Sequence, residues 1–137
     1  MTILKTYTTY LSDGKTEFSL CQDGDKVWSM IGKLSLAELP DFIAACALFV
    51  GNDSGPKHIA AGMGIPTVGI HSGIVDSREW GPIGNLAVGV DRDMTCSPCY
   101  RSKLEDCHRS LACLRQILPG DVHRICQRML SIRRSEC

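Results

Sequence analysis

The sequence shows no long apolar run, no excess of charge and no signal-peptide pattern, and each absence narrows the range of functions that we expect. No stretch approaches the roughly 18 to 20 apolar residues of a membrane span, so we expect no transmembrane segment. The 15 Lys and Arg balance the 15 Asp and Glu, which gives no electrostatic reason to expect nucleic-acid binding. The N-terminus lacks a basic start followed by an apolar core, so no signal peptide is predicted and a cytoplasmic location is the default expectation.

The size and composition of the chain predict one globular domain. Its 137 residues suffice for a single hydrophobic core. Hydrophobic residues make up 44% and charged residues 22%, which is typical of soluble proteins. We therefore expect residues 1–137 to form one domain.

The hydrophobic pattern predicts an α/β fold. Short apolar runs alternate with stretches of helical spacing through tight connections, which is typical of a parallel sheet layered with helices. An Asp-Gly pair near the N-terminus predicts a hairpin turn. We predict strands at 26–32, 48–52, 66–71 and 86–90, helices within 34–48 and at 56–63 and 119–134, and a hairpin within 3–21.

The start of the first helix has two interpretations. Ser35 and Glu38 have the S-x-x-E spacing of a capping box ahead of an apolar run. If Ser35 is the N-cap, Pro40 removes a hydrogen bond of the first turn. The alternative is that the helix begins at Pro40 itself, where proline is favoured.

The stretch "GNDSGPKHIAAGMG" (51–64) carries the strongest functional signal, and its serine is not a convincing nucleophile. Ser54 lies outside the G-x-S-x-G pattern of a nucleophile elbow. All four histidines follow Ser54, whereas the chymotrypsin order is His, Asp, Ser. The α/β surroundings also differ from a pair of β-barrels, so a hydrolase is disfavoured.

A phosphate-binding loop explains the same stretch better. A predicted strand ends just before Asp53 and a helix begins just after Gly55, where glycine allows a ligand close to the backbone. The helix N-terminus offers free N–H groups and partial positive charge, which suit a phosphate. Lys57 and His58 in the first turn can add a cation and a donor.

The phosphate interpretation has a simpler competitor. The loop has neither the P-loop pattern nor the G-x-G-x-x-G fingerprint. In the alternative interpretation, Asp53 or Ser54 serves only as a cap that satisfies the helix N-terminus. From the residues alone, both interpretations stay open.

A cysteine cluster indicates a structural metal site. Cytosolic thiols usually stay reduced, and four thiolates within 18 residues suit a tetrahedral Zn or Fe ion. Reduced thiols, disulfides or a redox pair at the C-x-x-C are the alternatives, and His108 is a substitute ligand. The candidate ligands of this Cys-rich subsegment (96–113) are Cys96, Cys99, Cys107 and Cys113.

Other residues have weaker signals. Cys46 and Cys126 fall on apolar helix faces and are predicted to be core residues. Trp80 either lines a ligand pocket or anchors a Gly/Pro-rich loop by burial. His71 and Ser72 end a predicted strand at the edge where α/β proteins bind ligands.

Several segments together resemble a known family. "IGKLSLAEL", "LFVGNDSGPKHIAAGMGIPTVGI" and "WGPIG" occur in the order seen in the C-terminal half of glycosyltransferase family 9, which includes ADP-heptose–lipopolysaccharide heptosyltransferases. "CSPCYRSKLEDCHRSLACL" and "PGDV" also resemble the tails of many members. The details are most similar to the domains that follow tetratricopeptide repeats, and the resemblance covers roughly residues 27–130.

The resemblance implies a fold, a ligand and site residues. The family has two Rossmann-like domains (the GT-B type), and this half would hold the nucleotide diphospho-sugar donor, with no organic cofactor. The "GKLSL" turn, which includes Ser35, matches the segment beside the base and ribose. Lys57 falls at a variable position, so its role rests on its charge alone. The D-[ST]-G-x-x-H loop that contacts diphosphate and sugar corresponds to Asp53, Ser54, Gly55 and His58.

The departures from the family pattern predict an incomplete enzyme. A polar "TYTTYLSDGKTEF" stands where the family has a helix and a hydrophobic strand. The acceptor domain and its catalytic base have no counterpart, so we expect a donor-binding half, truncated on its N-terminal side and without turnover alone. Its expected partner is the missing acceptor domain or a helical repeat region. The alternatives are a nucleotide-sugar epimerase-like domain and a non-catalytic, metal-stabilised interaction module.

Overall fold

A mostly parallel β-sheet with helices packed on both faces forms the framework of the protein. The computed structural model describes residues 6–12, 15–19, 21–23, 26–28, 30, 32–101 and 103–135. The strands are β1 (Thr6–Ser12), β2 (Lys15–Ser19), β3 (Cys21–Asp23), β4 (Lys26–Trp28), β5 (Leu48–Asn52), β6 (Thr67–Ile70) and β7 (Ala87–Val90). The helices are α1 (Leu39–Ala44), α2 (Gly55–Gly62), α3 (Ser77–Trp80), α4 (Ala112–Arg115) and α5 (Pro119–Ser135), with a 3₁₀ turn at Leu104–Asp106.

The main sheet confirms the predicted α/β, Rossmann-like fold. Its strand order is β2-β1-β5-β6-β7, and β1, β5, β6 and β7 run parallel. The last residues of β5, β6 and β7 are in register, since Asn52 pairs with Ile70 and Ile70 pairs with Val90. The residues that follow these strands therefore lie side by side at the carboxyl edge, where α/β sheets bind ligands.

The N-terminal region departs from the prediction. Among the described residues of the strand expected at 26–32, only those of β4 are in a strand, and β4 pairs antiparallel with β3 in a separate two-stranded sheet. Gly32 has a φ of +66°, and the Lys33 N–H donates to the Met30 carbonyl at 3.0 Å, so a turn stops the strand. The place beside β5 is taken by β1, although its sequence is polar.

The two antiparallel strands of the predicted N-terminal hairpin are confirmed. β1 and β2 pair antiparallel up to Ser12 and Lys15. The Asp-Gly pair at 13–14, which was predicted to form the turn, lies outside the described residues, as does Gly24 of the second Asp-Gly pair.

The core has one part on each face of the sheet. The central strand β5 is buried on both faces, as expected for a parallel sheet covered by helices. On one face Phe49 packs with α1 and α2, whereas Leu48 and Val50 pack with α5 on the other. The first part comprises Leu39, Ile43, Cys46, Phe49, Ala60 and Ile65, and the second is centred on Leu48, Val50, Val68 and Met129.

The capping box and the proline both act at the start of α1. The Ser35 N–H donates to Glu38 Oε2 at 2.9 Å, and the Glu38 N–H donates to Ser35 Oγ at 3.3 Å. The Ser35 hydroxyl, which donates to Glu38 Oε2 at 2.6 Å, lowers the pKa of Glu38, and the Ser35 N–H adds to this shift. The box closes the turn at 36–38, while α1 begins at Leu39 with Pro40 in its first turn. The two interpretations of the sequence are thus combined.

The C-terminal helix α5 matches the helix predicted at 119–134. Its apolar residues, including Cys126, pack against β5 and β6. Arg133 Nη1 donates to the carbonyls of Cys46 and Ala47 at 3.0 and 2.9 Å, which fastens the helix to the chain before β5. Neither α5 nor another helix within the described residues is long and apolar enough to cross a bilayer.

The core packing predicts a large effect of truncating Ile43, which is a fully buried residue of α1. We expect Ile43→Ala to lower the free energy of unfolding by about 2 to 5 kcal/mol, because it leaves a cavity. Ile83, which is 82% exposed, supplies the matched control, and Ile83→Ala should change that free energy by no more than about 0.5 kcal/mol. Chemical denaturation measures both. Equal effects of the two substitutions would contradict the described core.

Candidate functional site

The loop between β5 and α2 places a helix N-terminus at the carboxyl edge of the sheet. The Asp53 N–H donates to the Ile70 carbonyl at 3.1 Å, which fixes the loop to the end of β6. Ser54 is the N-cap residue with extended backbone angles, but its hydroxyl donates to the Asn52 carbonyl at 3.3 Å rather than capping the helix. Gly55 is exposed, and a Cβ there would meet nothing within 4 Å. The start of α2 is therefore open to a ligand.

Lys57 is buried beneath this loop. Although it lies in the first turn of α2, none of its surface is exposed. Its ammonium donates to Asp53 Oδ1 at 2.5 Å and to the Trp80 carbonyl, and it lies 3.5 Å from His71 Nε2. A buried charge is tolerated only when it is paired and hydrogen-bonded. The structure thus places the Lys57 ammonium inside the protein, where it joins three chain segments, and not on the surface where a phosphate-facing cation was expected.

A glycine in β6 makes room for the buried lysine. A Cβ added to Gly69 would lie 2.7 Å from Lys57 Cδ and 3.0 Å from His71 Nε2. Such close contacts require a neighbouring atom to move, and the Lys57 chain is fixed at its charged end by Asp53. Glycine within a strand often marks a close approach of this kind. That signal in "PTVGIH" was available in the sequence and was missed.

His71 completes the buried cluster. It was expected at the ligand-facing rim, but none of its surface is exposed. Its Nδ1 lies 3.8 Å from Asp53 Oδ2, and among the described residues it has no hydrogen-bond partner. Burial, followed by the charge of Lys57, lowers the pKa of His71, which keeps the ring neutral at neutral pH. His71 therefore supports the loop from beneath.

His58, by contrast, is exposed in the first turn of α2. Partial burial, followed by the charge of Lys57, lowers the pKa of His58, and Asp53 opposes this shift. A neutral imidazole still carries one N–H donor. His58 thus keeps one N–H donor on the exposed surface of the first turn.

A polar cleft of about 380 Å³ lies at the carboxyl ends of β6 and β7. Ser72 lines it, as do Asp76, Arg78 and Asp91. The Asp76 carboxylate caps α3 and pairs with the Arg78 guanidinium at 2.6 Å, and these hydrogen bonds lower the pKa of Asp76 to about 2. The Ser77 hydroxyl donates to Asp91. The walls of the cleft are therefore ordered by internal hydrogen bonds.

Trp80 is not a buried anchor. Its side chain is 54% exposed, which argues against the interpretation that burial of the indole holds the loop. Its main chain contributes instead, because the Trp80 carbonyl accepts the hydrogen bond from Lys57.

The Cys-rich subsegment docks on the loop after β6. The Cys99 N–H donates to the Gly73 carbonyl at 2.9 Å, and the Tyr100 N–H donates to the Ile74 carbonyl at 2.8 Å. Within the described part of the chain, no three His, Cys, Asp or Glu residues are grouped closely enough to hold a metal ion. The structural Zn or Fe site stays a prediction. In this structure the cluster cysteines form no disulfide: Cys96, Cys99, Cys107 and Cys113.

The predicted donor-site residues fall into two places. The residues after β5 lie together around the N-terminus of α2, whereas Ser35 forms its capping box with Glu38 ahead of α1. The supporting roles of His71, Gly69 and the Trp80 carbonyl were not predicted. The group around α2 comprises Asp53, Ser54, Gly55, Lys57 and His58, and its donor contacts stay a prediction.

Comparison with known proteins identifies the relatives of this chain. The sequence model of "Glycosyltransferase family 9 (heptosyltransferase)" matches residues 13–108. The chain is 32% identical over 118 residues to lipooligosaccharide heptosyltransferase 2 of Campylobacter jejuni serotype O:6, covering 80% of this chain and 36% of that protein. The serotype O:2 protein of the same name is 31% identical with the same coverage. The chain thus spans about a third of the length of these curated relatives, and no solved structure matches it.

The close packing around Gly69 predicts that an alanine at this position destabilises the protein. We expect Gly69→Ala to lower the free energy of unfolding by about 1 to 3 kcal/mol, because the added methyl overpacks the site against Lys57 and His71. Gly62 is the control, since a Cβ there meets nothing within 4 Å, and Gly62→Ala in the helix should stabilise by up to about 1 kcal/mol. Chemical denaturation of both variants tests this. A stabilising Gly69→Ala would rule out the described path of the Lys57 side chain.

Two cysteines should differ in their reactivity with pH. The Leu111 N–H donates to Cys107 Sγ at 3.3 Å, and this bond lowers the pKa of Cys107, whereas burial raises the pKa of Cys126. Because the thiolate is the nucleophile, we expect Cys107 to be alkylated at lower pH and faster than Cys126. Mass spectrometry of iodoacetamide-treated protein across a pH series measures both rates. Identical pH profiles would contradict the prediction.

Proposed function

Because the chain belongs to glycosyltransferase family 9, we propose that it binds the donor of a glycosyl-transfer reaction. The donor class is a nucleotide diphospho-sugar, and the name of the Campylobacter jejuni relatives, lipooligosaccharide heptosyltransferase 2, favours a nucleotide-activated heptose such as ADP-heptose. The diphosphate binds at the N-terminus of α2.

The open start of α2 at the carboxyl edge of the sheet is the observation that carries this proposal. Helix N-termini favour anions through free N–H groups and the helix dipole. Gly55 leaves the approach unobstructed, and His58 supplies a side-chain donor on the exposed surface of the first turn.

The charge of the loop also suits a diphosphate. A free carboxylate at Asp53 would repel a phosphate, but the Lys57 ammonium pairs with it at 2.5 Å. The pair has no net charge, so the dipole of α2 dominates the local field. Asp53 keeps its second oxygen for a hydroxyl of the sugar or ribose, since its side chain is 28% exposed.

Each remaining site residue has a proposed role. The Ser54 hydroxyl and the backbone of Gly55 contact the diphosphate. The turn that contains Ser35 lies beside the base and ribose, as the family resemblance implies. In a complete enzyme the loop would stabilise the charge that develops on the leaving diphosphate, which is a preorganised electrostatic role.

We further propose that these 137 residues bind the donor without transferring its sugar. They correspond to 36% of the length of the relatives. By the family resemblance, the residue that activates the acceptor hydroxyl belongs to the acceptor domain. The expected partner is therefore that domain. Turnover of an ADP-, UDP- or GDP-sugar by this polypeptide alone would contradict this part of the proposal.

The family match favours neither an epimerase-like domain nor an interaction module. A nucleotide titration separates donor binding from the interaction module, because only donor binding predicts that ADP, UDP or GDP raises the melting temperature.

A charge placed at Gly55 should weaken nucleotide binding without unfolding the protein. Gly55→Glu adds a side chain where a Cβ meets nothing, and its carboxylate opposes the diphosphate, so we expect the Kd for ADP to rise at least about tenfold, or about 1.4 kcal/mol. Isothermal titration calorimetry measures the Kd.

The matched control for that experiment is Gly62→Glu, which adds the same charge at the other end of α2, also in open space. Its Kd for ADP should stay unchanged. Equal weakening by both substitutions, or no binding of ADP, UDP or GDP to the unsubstituted chain, would overturn the proposed site.

A further inference from the structure

We infer that Lys57 is a positioning residue that couples the donor loop at 53–55 to the segment 76–80 which ends at Trp80. The expected response to a bound nucleotide rests on the proposed donor function. The coupling of the two segments in the absence of a ligand rests on the geometry of the buried ammonium alone.

The geometry joins segments that are distant along the chain. The Lys57 ammonium donates to Asp53 after β5 and to the Trp80 carbonyl at the end of α3, and it lies 3.5 Å from His71 after β6. Asp53 and Trp80 are separated by a helix, a strand and a long loop. One buried side chain therefore holds the donor loop and the α3 segment in a fixed relation.

The chemistry of the ammonium suits this role. An ammonium has three donors and no acceptor, and here two carbonyl or carboxylate oxygens and one imidazole nitrogen surround it. The neutral His71 ring can accept at Nε2 if its proton is on Nδ1, which faces Asp53 Oδ2 at 3.8 Å. A methionine of similar length would leave the Trp80 carbonyl without its donor and Asp53 without its countercharge.

The space beside Gly69 is filled by the Lys57 side chain. Gly69 leaves open the volume that the Lys57 stem crosses, at 2.7 Å from an added Cβ. The lysine is fully buried, so its charge acts through Asp53 and not by direct contact with solvent. A ligand that engages Asp53 therefore changes the same hydrogen-bond network that holds Trp80.

Trp80 provides the signal for a test. Its indole is 54% exposed, and the chain has two tryptophans, so Trp28→Phe leaves Trp80 as the sole emitter. In this background we expect ADP to shift the Trp80 emission. Lys57→Met should raise the Kd for ADP about tenfold. Even at saturating ADP, the Trp80 emission of this variant should not shift.

Two controls separate positioning from general stability. Lys103→Met makes the same substitution at an exposed lysine and should retain both the Kd and the emission shift. Ile43→Ala destabilises the core without touching the network, and at a temperature where it stays folded it should retain the emission shift. A Lys57→Met protein that keeps the shift at saturating ADP would overturn the inference.

A ligand-free measurement tests the coupling independently of nucleotide binding. By hydrogen–deuterium exchange, we expect the amides of 76–81 to exchange faster in Lys57→Met than in the unsubstituted chain and in Lys103→Met. Unchanged exchange there would overturn the coupling even if ADP binds. Failure of the unsubstituted chain to bind ADP would overturn the proposed function, and this exchange comparison would then decide the coupling alone.

If Lys57→Met does not fold, the unsubstituted chain supplies the test. The coupling predicts that ADP slows amide exchange both at 53–58 and at 76–81. Protection confined to 53–58 would overturn the coupling while supporting donor binding at the loop.

Discussion

The ion pair between the Lys57 ammonium and the Asp53 carboxylate is the interaction on which the candidate site depends. A buried ammonium is costly to desolvate and is stable only when its partners are well placed. Asp53 lies four residues before Lys57, whereas the other two partners of the ammonium, His71 and the Trp80 carbonyl, come from the chain after β6. The stability of the fold and the shape of the loop are thus linked through one side chain.

In the proposed function, that pair also sets the net charge of the loop. With the Asp53 charge compensated, the exposed surface at the start of α2 presents an unobstructed glycine and a neutral histidine. These features favour an anion of moderate size, and the polar cleft of about 380 Å³ at the ends of the next two strands offers space for a hydroxyl-rich group. The arrangement agrees with the donor chemistry proposed from the family.

The sequence predicted the elements that local pattern controls. The strand at 48–52, the helix that follows it and the amphipathic helix α5 are present because each is defined by its own periodicity and end signals. Of the strand predicted at 26–32, the start at Lys26–Trp28 is confirmed, whereas the end is wrong because the chain turns at Gly32, which has a positive φ. The sequence prediction also missed that Lys57 points inward, because helical spacing does not reveal that a glycine in another strand leaves room for a long side chain.

A crystal structure of this chain with bound ADP would test the central claim most directly. The account predicts the diphosphate within hydrogen-bonding distance of the backbone at Gly55 and of His58, with the Lys57 ammonium still on Asp53 and the Trp80 carbonyl. A diphosphate bound elsewhere, or a Lys57 side chain that leaves the interior to contact the phosphate, would contradict it.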